Sequence, residues 1–81
     1  MNKKEDVTFL LEMYDRYFNT AQRAVELGNN KVAKENYYLA AQVMVKVAKQ
    51  STEKVREARI KKAQTLIQIA DQLDESVPVR V

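Results

Sequence analysis

Neither cysteine nor histidine occurs anywhere in the chain. Without cysteine there is no disulfide staple and no thiolate metal site. Without histidine, the commonest metal ligand and the commonest general base are both missing. A nucleophile here would have to rely on a carboxylate or a lysine as its base. Glycine and proline occur once each in 81 residues. Turns draw heavily on these two residues, so a sheet with many turns is excluded and long helices with few connections are expected. No apolar run approaches the roughly 18 residues of a membrane span. The segment MNKKEDV carries basic residues with no apolar run behind them, so it does not read as a signal peptide. A cytoplasmic or cytoplasm-facing location is the default expectation.

What is present is a single small domain. Eighty-one residues leave room for one hydrophobic core. A chain this short buries only about 60% of its unfolded surface, so stability must come from helix packing or from a partner. The net charge is +3, from 14 basic and 11 acidic residues. That is a mild bias toward acidic partners and no signature of nucleic-acid binding.

Apolar residues in steps of three and four, from Val7 through Leu10, Tyr14, Phe18 and Ala21 to Val25, predict a first helix over about Asp6 to Leu27. Asn2 with Glu5 is a candidate capping box, and Asp6 is a rival start. Gly28 falls where a helix takes a left-handed residue to end. Asn29 or Asn30 can cap the second helix, expected to run to about Lys49. Its stripe of Ala33, Tyr37, Ala40, Met44 and Val47 is widened by Ala41 and Ala48 on one side and by Val32 and Val43 on the other. Only Lys31, Glu35, Gln42, Lys46 and Lys49 form a clear polar strip. A helix so broadly apolar touches neighbours on two sides, so the second helix should be central.

Ser51 or Thr52 is the expected cap of the third helix, with Glu53 complementing the dipole of its first turn. Val55, Ile60, Ala63, Leu66, Ile67, Ala70 and Leu73 share one broad face. Pro78 restricts Val77, so this helix should end near Asp74. The expected fold is all-α, an up-down-up antiparallel three-helix bundle over residues 1–75, with residues 76–81 as a tail or the start of a linker.

Residues suited to chemistry are sparse. Ser51 and Ser76, the only serines, sit at a helix start and in the tail. The carboxylates are scattered, without the ExxH spacing of di-iron bundles or the loop of a calcium site. The tripeptide Gly28-Asn29-Asn30 lacks the rest of a phosphate-binding loop. No catalytic role, metal or cofactor is expected. Lys54, Arg56, Arg59, Lys61 and Lys62 cluster early in the third helix. A helical wheel separates them, with Arg56 and Arg59 toward the bundle, so they form no coherent stripe for phosphates.

The remaining signal is apolar surface that three helices do not hide. Phe9 and Met13 lie off one side of the first helix, Tyr38 and Val45 off one side of the second, and Ala58 and Ile69 off the third. Each alone is compatible with an ordinary exposed residue. Together they suggest grooves that accept an additional apolar helix.

Gly28-Asn29, Ala33, Tyr37 and Ala40 form the pattern G-N-x-x-x-A-x-x-x-Y-x-x-A, shared by tetratricopeptide repeats and by MIT (microtubule interacting and trafficking) domains. A repeat array needs a second copy of the unit, and none is present. The stretch KAQTLIQIADQL, residues 62–73, resembles the MIT ending K-A-x-x-Y-L-x-R-A-E-x-L. Leu66 stands where that family often has tyrosine, and Ile69 where it often has arginine. The connection before Gly28 is about three residues shorter than the common MIT form. The resemblance implies a three-helix adaptor, N-terminal in an AAA ATPase or a protein-transport component. It implies a partner tail bound as a helix between the second and third helices, or as an extended segment between the first and third. By the same resemblance Ile67 is the key groove residue, and Asp71 meets a basic partner side chain. The partner-binding set expected is Tyr38, Val45, Ala63, Ile67, Ala70 and Asp71. Two other classes stay open: a self-associating bundle that buries its extra apolar positions against another copy, and a small nucleic-acid accessory protein using Lys54, Lys61 and Lys62.

Overall fold

A computed structural model of the chain describes residues 6–76. It contains three helices, α1 (Val7–Glu26), α2 (Asn30–Lys49) and α3 (Glu53–Gln72), each of 20 residues. They form an up-down-up three-helix bundle. The Asn2–Glu5 capping box and the Val77–Pro78 stop lie outside the described residues. Asp6 caps α1: its backbone is extended, and its carboxylate accepts the Thr8 N–H at 2.9 Å.

Only Leu27, Gly28 and Asn29 connect α1 to α2. Gly28 takes a φ of 76°, a region that costs a residue with a Cβ roughly 1–2 kcal/mol. The Asn29 N–H then reaches back to the Ala24 carbonyl (2.8 Å) and the Gly28 N–H to that of Val25 (3.0 Å). This is the paired-bond ending that a left-handed glycine permits. The same Asn29 opens α2, its side-chain oxygen accepting the Val32 N–H at 3.3 Å. One residue thus closes one helix and starts the next.

The second connection departs from expectation. Thr52 is the N-cap residue of α3, but its hydroxyl makes no capping bond. Ser51 does not cap α3 either. Its Oγ donates to the Val47 carbonyl at 2.8 Å and accepts from Arg59 at 3.0 Å. The Val47 carbonyl, which also accepts the Gln50 N–H at 3.1 Å, takes the hydroxyl on its second lone pair, so the hydroxyl is held by α2. Arg56 adds to this, donating from Nε to the Ala48 carbonyl at 3.2 Å and from its guanidinium to the Ser51 carbonyl at 3.2 Å.

Eight residues of α2 are buried, against four of α1 and three of α3. The central position expected of α2 follows from that difference. It packs on both neighbours, while no Cα of α1 comes within 8 Å of one in α3 among the described residues. Alanines at 21, 33, 40, 63 and 70 are all at most 1% exposed and let the backbones approach closely. A ladder of rings, Tyr14 stacked on Phe18 (5.8 Å) and Phe18 edge-on to Tyr37 (6.1 Å), fills the space between α1 and α2. The broad apolar face expected of α3 is narrower in fact. Ala63, Leu66 and Ala70 are buried, while Val55 and Ile67 stay 42% and 39% exposed. A helix packed closely on one neighbour buries a narrow arc, and the flanks of the arc remain at the surface.

Candidate functional site

Residues 38, 41, 42 and 45 are spaced by three and four, which brings them to one side of α2. Across from them α3 presents Ile67. Tyr38, Ala41, Gln42, Val45 and Ile67 line a cleft of about 270 Å³ between the two helices. Tyr38 and Val45 are half-buried and pack against the core, and Ile67 is the exposed wall. Of the six residues expected to meet a partner, the structure brings Tyr38, Val45 and Ile67 together here. Asp71 sits at the cleft's end, where its carboxylate accepts a hydrogen bond from the Tyr38 hydroxyl.

Ala63 and Ala70 do not belong to this surface. At 1% and 0% exposure they are sealed into the core, so a partner does not touch them while α2 and α3 stay packed. Their methyl groups are small enough for α3 to lie close on α2, and that closeness is what hides them.

The cleft is held at both ends by polar ties. At the Asp71 end the Asn30 side-chain amide donates to the Asp74 carbonyl at 2.9 Å, and Lys34 pairs with Glu75 at 3.4 Å. At the other end Arg56 and Arg59 bond the close of α2 and the serine after it. Between the ties the lining is mostly apolar, with Gln42 as its one polar member beyond the Tyr38 hydroxyl. The Tyr38 phenol is pushed above its ordinary value, first by its hydrogen bond to Asp71, then by desolvation and by the Asp71 and Glu75 charges. The Asp74 carboxyl is held below its ordinary value, chiefly by hydrogen bonds from the Ser76 hydroxyl (2.6 Å) and backbone (2.9 Å).

A second cleft, of about 410 Å³, lies between α1 and α3 over Met44 of α2. It is more polar, with Asp15, Arg59 and Lys62 beside Leu11 and Tyr14. The Lys62 ammonium sits 5.8 Å from the centre of the Tyr14 ring and spans the cleft. Lys62 is therefore drawn away from Lys54 and Lys61, and the two arginines serve the end of α2. Arg56, Arg59 and Lys62 are thus engaged within the bundle. Phe9 is 53% exposed and Ile69 36% exposed, while Met13 packs partly on the core.

Both serines have hydrogen-bond partners, Ser51 with Val47 and Arg59 and Ser76 with Asp74. Among the described residues no cluster of His, Cys, Asp or Glu is placed to hold a metal ion, and no helix is long and apolar enough to cross a membrane. Gln42 and Ala41 are cleft residues that the sequence pattern places elsewhere, in the polar strip and in the core stripe. Their spacing from Tyr38 and Val45 is the signal that marks them. No family model matches the chain, and neither a curated protein nor a solved structure matches it.

Proposed function

We propose that this chain is a docking module that holds an amphipathic helical segment of another protein in the groove between α2 and α3. The observation that carries this reading is the apolar cleft walled by Tyr38, Val45 and Ile67 over the buried Ala41, left open between polar ties at both ends. Such a surface suits the apolar stripe of a further helix. The ties at Tyr38 and Ala48 are about ten residues of α2 apart, or about 15 Å, so a docked helix of about three turns fits between them. Asp71 at one end and Lys49 and Lys61 at the other give the occupant a matching charge pattern, basic at one end and acidic at the other. The role supported by the MIT resemblance is that of a cytoplasmic adaptor without catalysis of its own, recruiting a partner to a larger machine such as an AAA ATPase in protein transport.

The test uses helical peptides of about 16 residues, selected on the wild-type chain from a randomised display library. Ile67→Asp is first checked for unchanged helicity and melting. It should weaken peptide binding at least about tenfold, because a charge placed in an apolar contact is desolvated without a partner. Binding at wild-type strength would remove the groove as the site. Sedimentation at several concentrations runs alongside, and a dimer broken by Ile67→Asp would replace the foreign helix with a second copy of this chain.

A further inference from the structure

The docked helix has a direction, and the charges along the groove set it; this rests on the docking reading above. We propose that it runs antiparallel to α3, with a basic N-terminal turn at the Tyr38–Asp71 end and an acidic C-terminal turn at the Lys49–Lys61 end.

α2 and α3 are antiparallel neighbours of equal length, so their dipoles oppose and largely offset each other at both ends of the groove. The side chains are left to decide. At one end Asp71, Asp74 and Glu75 outnumber Lys31 and Lys34. One of those lysines, Lys34, is already paired with Glu75 at 3.4 Å. At the other end Lys49, Lys54, Arg56 and Lys61 outnumber Glu53 and Glu57. Between them the polar strip of α2 carries Glu35 toward the first end, Gln42 in the middle and Lys46 toward the second, and α3 carries Gln64 and Gln68. The potential therefore runs from negative to positive along the groove. An incoming helix carries a partial positive charge at its N-terminus and a partial negative charge at its C-terminus. Its dipole and the groove agree in one orientation only.

Tyr38 reinforces this. Its hydroxyl holds one oxygen of the Asp71 carboxylate, which fixes the carboxylate at the end of the cleft. A carboxylate retains further acceptor sites after accepting one bond, so a lysine or arginine of the ligand finds the group already oriented.

The experiment uses the tightest of the selected peptides, carrying a nitroxide spin label at either its N- or its C-terminus. The N-terminal label should broaden the backbone NMR signals of Tyr38 and Asp71, and the C-terminal label those of Lys49 and Lys61. The reverse pattern overturns the proposal. A charge swap, Asp71→Lys with Lys61→Glu, should weaken the peptide by roughly threefold to tenfold at low salt and favour a peptide with its charged ends exchanged. An unchanged affinity for both peptides also overturns it. Val45→Asp separates the two levels: if it leaves binding intact, the docking reading itself falls, whereas lost binding with reversed labels removes only the direction.

Discussion

The Tyr38 hydroxyl hydrogen-bonds the Asp71 carboxylate and so joins α2 to α3 across 33 positions of sequence. The bond stabilises the neutral phenol. Burial does the same for Tyr37, and for Tyr14 burial is followed by the nearby Asp15 charge. All three phenols are raised in the fold. Their contribution to stability is fully present below the unfolded value near 10 and is lost as pH rises through the higher folded values. Melting temperature should therefore decline from about pH 10 upward, and Tyr38→Phe should make that decline shallower. An identical alkaline decline in the variant would show that the bond to Asp71 carries no linkage.

Replacing Gly28 with alanine should cost about 1–2 kcal/mol, since the ending of α1 requires a left-handed residue there. Asparagine at the same position should cost less, because its side chain tolerates that region. Urea unfolding of the two variants checks the ranking. Equal stability of alanine and glycine would mean that the Asn29–Ala24 bond is not what ends the helix.

Ala70→Leu should destabilise the bundle by about 1–3 kcal/mol, because Ala70 is 0% exposed and α3 has no slack against α2. Gln68→Leu, at a surface position two residues away, should stay within about 0.5 kcal/mol of wild type. Thermal melts of the pair distinguish a sealed position from a surface one.

Arg56→Ala should lower stability by about 1–2 kcal/mol through loss of the bonds to the Ala48 and Ser51 carbonyls. Arg56→Lys should recover less than half, since an ammonium lacks the fork that reaches both oxygens. Amide exchange at the end of α2 should quicken in both. Unchanged exchange there would detach Arg56 from that end.

Leu10→Ala should cost about 2–5 kcal/mol, for Leu10 is fully buried and the cavity opens next to α2. In a domain of this size that is a large share of the whole stability. Calorimetry reads the loss directly.

Much of this molecule is local in origin and legible in the residue pattern alone. The stop at Gly28, the cap by Asn29 and the buried stripe of α2 depend on residues a few positions apart, and helical periodicity writes them into the chain. Tyr38 and Val45 are legible as candidates because they fall off their stripe, whereas Ile67 lies on the main face of its helix and is singled out only by the resemblance to the MIT ending. The width of the buried arc on α3 is not legible. The same face of the wheel holds the sealed Ala63 and Ala70 and the open Ile67, and only the way α3 packs on α2 separates them. Ser51 has the residue type and position of a cap for α3, yet the fold turns it toward α2. Its competitor, the carbonyl of Val47, is joined by Arg59, whose approach depends on how α3 turns back.

The helices, their ends and the central place of α2 are present in composition and spacing, since each follows from short-range sterics and hydrogen bonding. The groove is not. It exists because the register of α3 against α2 sets Asp71 beside Tyr38, Glu75 beside Lys34 and Ile67 across from Val45. Register is the sum of many weak long-range contacts, and no spacing within one helix encodes it.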